Sequence, residues 1–168
     1  MSFSIEKIEE IESQTKDILF DFYADREILP PITIGKITQA YGLEIRSGEF
    51  KNPAISGAFD RSKQTIYIAK QDSYARKAFT VAHEFAHYIL HADKLAETFY
   101  RSNGIVTTDQ DKPVMETEAD CFAANLLMPK DLIEQFWPFV HDPDQMAILF
   151  RVSPMAMFWR LKNLGLTS

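Results

Sequence analysis

The run FTVAHEFAHYILH, Phe79 to His91, sets three of the chain's four histidines at intervals of four and puts a glutamate directly after the first. Four residues is slightly more than one helical turn. His83 and His87 therefore stand above one another on one face, where both imidazoles can reach a single ion. With Glu84 between them, HEFAH matches H-E-x-x-H, in which one helix carries two metal ligands and a general base. A pair of partly buried core histidines is the plain alternative. The motif's required helical context is present, because apolar periodicity runs from about Ser73 to His91. His91 stands apart: it lies about 12 Å from His83 along the axis, too far to share a tetrahedral site. It reads as a C-terminal histidine facing the helix dipole.

A zinc site of this kind needs a third protein ligand and leaves its fourth position to water. His141, the remaining histidine, sits in the Pro-flanked turn FVHDPD, and Cys121 is the one thiol. The acidic run in VMETEADCFAANLLMP, residues 114–129, is the better source. At about 100° per residue, Glu116 falls roughly 50° from the middle of the stripe of Ala119, Phe122, Ala123, Leu126 and Leu127. Asp120 falls about 90° away on the same side and Glu118 about 110° away on the other. Glu116 is thus the expected third ligand. Asp120 is the expected acceptor for a ligand imidazole N–H, which would fix that ring's tautomer. Glu118 reads as a solvated first-turn acid, with its exchange for Glu116 as ligand left open. Cys121 reads as a small buried hydrophobe.

Outward from these two helices, the chain is about one domain long. Ile5, Ile8, Ile11, Ile18, Leu19 and Phe22 recur at helical spacing, which predicts an N-terminal helix within 1–28, before Pro30 and Pro31. A zinc-site core follows over about 31–130. There ITIGKITQAYG predicts a short helix stopped at Gly42. LEIRS, AISGAFD and QTIYIA predict a small antiparallel sheet beside the H-E-x-x-H helix, with a turn at residues 60–63. Asp93 to Pro113 is polar and reads as a loop. A helical tail occupies 131–168. The expected fold is α+β and mainly helical, in one unit over 1–168.

Eighteen Lys and Arg against 24 Asp and Glu give a net charge of -6. That balance argues against a general nucleic-acid or anionic-membrane surface. One cysteine excludes an intramolecular disulfide, and the charged N-terminus lacks a signal-peptide pattern, so the expected compartment is cytoplasmic. No apolar run approaches the roughly 20 residues of a membrane span. The tail DQMAILFRVSPMAMFWRLKNLG has a helix-turn-helix shape, which keeps a DNA-binding regulator in view. Its second helix carries only Arg160 and Lys162 as basic donors, so it reads instead as packing or as a partner-binding face. A non-catalytic zinc-stabilised protein is another rival, although it would have no need of Glu84. Oligomeric state is not legible.

RKAFTVAHEFAHYILH followed by METEADCFAANLLMP resembles the ImmA/IrrE family of zinc metallopeptidases, whose pattern is HExxH and then an ExxA-N/D-x-F-A-A-x-L-L-M-P helix. The likeness runs from about Pro31 to Gly165. Phe85-Ala86 stands where the family often has Leu-Gly, and Asp120 where Asn is commoner; neither change removes a ligand. The resemblance implies a cytoplasmic bacterial peptidase, often of prophages and mobile elements, that cleaves a partner repressor or acts in stress regulation. It implies a protein substrate; that no direct nucleic-acid binding and no membrane are expected follows from the charge balance and apolar runs above. In that chemistry Glu84 would take a proton from water and pass it to the leaving amine. Tyr100, Arg101 and His141 are open candidates for an oxyanion donor, and the TIYIA edge for substrate alignment by strand addition.

Overall fold

The structure, a computed structural model, describes residues 4–92, 98–102 and 112–167. Among these residues there are seven helices and four strands. The helix α1 (Ile5–Tyr23) starts where the Ser4 hydroxyl accepts from the Lys7 N–H, and α2 (Ile34–Ala40) follows. The strands β1 (Glu44–Gly48), β2 (Ile55–Asp60) and β3 (Thr65–Ala69) precede the central helix α3 (Tyr74–Leu90). Next come β4 (Thr98–Ser102), α4 (Lys112–Leu127), α5 (Lys130–Val140), α6 (Pro143–Phe150) and α7 (Pro154–Asn163). The mainly helical α+β arrangement is the one expected.

The sheet departs from expectation in three respects. Its order is β1-β3-β2-β4, with β1 and β3 parallel and the other pairs antiparallel, so it is mixed rather than antiparallel. The reason is the tight β2–β3 hairpin. At its turn Asp60 accepts from the Ser62 hydroxyl, the Lys63 N–H and the Lys63 ammonium, which holds the Asp60 carboxyl at about 2. With that side of β3 taken, β1 docks on the other and runs with it. TIYIA, as β3, is therefore an interior strand paired on both sides, and strand addition there is ruled out. Thirdly, β4 pairs with β2 inside the stretch expected as a loop. Residues 93–97 and 103–111 of that stretch lie outside the described residues, and 112–113 open α4.

The helix α3 packs on β2 and β3 and also on α4, which packs in turn on α1. Thr80 through His87 are consequently all buried. Phe85 meets Phe122 of α4 edge to face at 5.9 Å between ring centroids, an arrangement worth about 1 kcal/mol beyond the area it buries. The C-terminal helices are built into this core, with Met157 and Leu161 fully buried. Arg160, also buried, donates to the Met128 carbonyl at 2.9 Å and to Asn125 Oδ1 at 2.9 Å, tying α7 to the end of α4.

Candidate metal centre

Two packed helices bring the expected groups together. Ser73 caps α3, its hydroxyl accepting from the Arg76 N–H, and the register that follows aims His83 and His87 at α4. Their Nε2 atoms are 3.1 Å apart. Glu116 of α4 reaches between them, with Oε2 3.3 Å from His83 Nε2 and Oε1 3.5 Å from His87 Nε2. One ligand atom from each of the three residues lies within 4.8 Å of the others.

The electrostatics suit a cation. Burial, chiefly, pushes His87 down to about 4, so its imidazole is neutral near neutral pH. Burial opposes ionisation of Glu116, but the imidazoles of His83 and His87 beside it outweigh burial and hold its carboxyl well below the usual range. His83 Nδ1 is 2.8 Å from Asp120 Oδ1, and His87 Nδ1 is 2.9 Å from His91 Nδ1. When those Nδ1 atoms donate, two imidazole lone pairs and a carboxylate face one point. Lone pairs at 3.1 Å repel unless something positive lies between them. Two nitrogens and an oxygen are a donor set that could hold a metal ion.

Glu84, the residue after His83, is fully buried beside β2. A Cβ built on Gly57 would stand 3.5 Å from Glu84 Oε1 and 2.2 Å from Thr80 Cγ2, so the strand passes the site as closely as bare backbone allows.

Two expectations for the flanking residues need correction. Glu118 is not a solvated acid: its Oε2 lies 2.8 Å from His91 Nε2 and its side chain is only 15% exposed. A wheel of α4 alone omits the last turn of α3, which lies along that flank. His91 does cap α3 through its backbone N–H to the His87 carbonyl, but its ring, 1% exposed, lies between His87 and Glu118 rather than beside the dipole alone. The histidine ladder at 83, 87 and 91, set against acids at 116, 118 and 120, is the sequence signal for this pairing. Cys121 is half-buried, and burial pushes its thiol up. His141 caps α5 in the left-handed region with its ring 4.9 Å from that of Trp137, outside the ligand cluster. Tyr100 and Arg101 fall on β4, their side chains outside the described residues.

A family model described as the IrrE N-terminal-like domain, Peptidase_M78, matches residues 38–162. Among solved structures, a Mycobacterium tuberculosis transcriptional regulator aligns with a TM-score of 0.63 at 13% identity, over 95% of this chain and 47% of that one. The likeness at that identity is one of fold, and the chain spans about half of that protein's length. No curated protein matches the chain. Among the described residues no helix is long and apolar enough to cross a membrane.

Proposed function

This chain belongs to the Peptidase_M78 family of IrrE N-terminal-like domains, and from that premise we propose that it is a cytoplasmic, zinc-dependent peptidase acting on one protein partner. The observation that carries the reading is the convergence of His83 Nε2, His87 Nε2 and the Glu116 carboxylate next to a buried glutamate. His83, His87 and Glu116 would hold the metal, and Asp120 would orient His83. Bound there, zinc supplies a Lewis acid that polarises a substrate carbonyl and brings the pKa of a water near 7. Glu84, one residue from His83, accepts the proton of the attacking water and delivers it to the departing amine. No covalent bond to the protein forms.

The partner we infer is a helix-turn-helix transcriptional repressor, as the resemblance to ImmA/IrrE proteins implies. The similar solved chain is itself named a transcriptional regulator, which agrees with a place in transcriptional control. Direct DNA binding by this chain is disfavoured by its own tail. Arg160 is buried against α4, and the Lys162 ammonium lies over the Phe158 and Trp159 rings at 6.0 and 5.5 Å.

The test is Glu84→Gln, which keeps shape and removes the base. Zinc content and melting temperature should change little, while cleavage of a co-expressed neighbouring regulator falls by about 10²-fold or more. Metal analysis of His83→Ala, His87→Ala and Glu116→Ala should show loss of the ion in all three. Full retention of zinc by Glu116→Ala would remove that residue from the ligand set, and wild-type cleavage by Glu84→Gln would remove the proposed base.

A further inference from the structure

Each ligand histidine has a second ring nitrogen, and the two are served differently. His83 Nδ1 meets a carboxylate directly, Asp120 Oδ1 at 2.8 Å. His87 Nδ1 meets another imidazole, His91 Nδ1 at 2.9 Å, whose far nitrogen Nε2 is 2.8 Å from Glu118 Oε2. A metal on His87 Nε2 takes that lone pair and leaves the ring proton on Nδ1. Two nitrogens at 2.9 Å share one proton, so His91 Nδ1 must accept. His91 then carries its own proton on Nε2 and donates it to Glu118. Every proton in the chain of bonds is thereby assigned once His87 binds metal.

We propose that His91 and Glu118 are positioning residues, a two-bond relay that fixes the tautomer and ring plane of His87 as Asp120 does for His83. The inference rests on the metal-site reading above. It separates the three acids of the α4 run by role, with Glu116 as ligand, Asp120 behind one imidazole, and Glu118 behind the other at one remove. A buried imidazole is stable only with both nitrogens satisfied, and His91, at 1% exposure, gains that from the same two bonds. Its backbone role as the cap of α3 is independent of its ring.

The experiment measures zinc affinity of the full chain by chelator competition, the visible spectrum of the cobalt(II)-substituted protein, and the melting temperature of the metal-free form. His91→Phe and Glu118→Ala should still take one equivalent of zinc but bind it about 10- to 100-fold more weakly, with a shifted cobalt spectrum. Glu118→Gln still accepts from His91 Nε2–H and should restore most of the affinity. Because the relay is serial, His91→Phe combined with Glu118→Ala should be no weaker than His91→Phe alone. Effects that add, or a fall in metal-free melting temperature with affinity and spectrum unchanged, would overturn the proposal in favour of simple packing. Should His91→Phe fail to fold, Glu118→Ala and Glu118→Gln still decide the matter. Unaltered zinc binding by His83→Ala would instead strike at the metal site itself.

Discussion

A single methyl group tests how closely the site is built. Gly57 has an ordinary backbone angle, so any cost of filling it is steric. An alanine Cβ would meet Thr80 Cγ2 at 2.2 Å and the Tyr67 carbonyl oxygen at 3.1 Å. Gly57→Ala should therefore lose about 1–3 kcal/mol of stability, as overpacked cores do, and displace the α3 turn that carries Glu84. Thr80→Ser deletes the clashing methyl. Added to Gly57→Ala, it should recover part of both stability and the proposed peptidase activity, with the Tyr67 carbonyl limiting the recovery; urea titration and a cleavage assay read the two. No recovery would mean that the strain lies elsewhere. Residues of this kind divide cleanly by legibility. His83, Glu84 and His87 declare themselves because their spacing equals a helical turn. A strand glycine says nothing until the helix crossing it is known, and Glu118 looks solvated on its own helix because its partner belongs to another.

Among the elements, α3 and α4 are readable from periodicity and α7 only in part. Its helix-turn-helix outline is real, since α6 and α7 pack together across Arg151 in the left-handed region. Which residues face inward is not readable, because a polar residue on the apolar stripe looks exposed until its acceptors are found. Arg160 is that residue, with its guanidinium bonded to the Met128 carbonyl and Asn125. Arg160→Met leaves those acceptors unpaired in the core and should lower stability by about 3 kcal/mol. Lys162→Met, on the exposed side, should change it by less than about 0.5 kcal/mol. Chemical denaturation of the two variants makes the comparison, and equal effects would contradict a buried anchoring role. Strand order is the least legible feature, because alternation marks a strand without naming its neighbours; hence the mixed sheet and the interior place of TIYIA.

Over the whole molecule, α7 shows the core one side and presents Met155, Phe158 and Trp159 on the other. A cleft of about 580 Å³ between α7 and the start of α3 is lined by Arg76, Phe79, Met155, Ala156 and Trp159. The Phe79 ring, 6.4 Å from that of His83, joins it to the candidate metal centre. If the partner protein docks there, Met155→Ser with Trp159→Ser should weaken its cleavage about tenfold while zinc content and melting temperature hold. Undiminished cleavage would assign recognition to another face. The molecule also divides its chemistry along the chain. All the imidazoles of the candidate centre come from residues 83–91 and all its carboxylates from 116–120, with Glu84 on the first side. A cut anywhere between Ala92 and Lys112 would leave two fragments, one holding the proposed nitrogen donors and base, the other the proposed oxygen donors alone. Neither could make the tetrahedral set, so zinc uptake would report their reunion, and zinc itself would tighten the pairing by mass action.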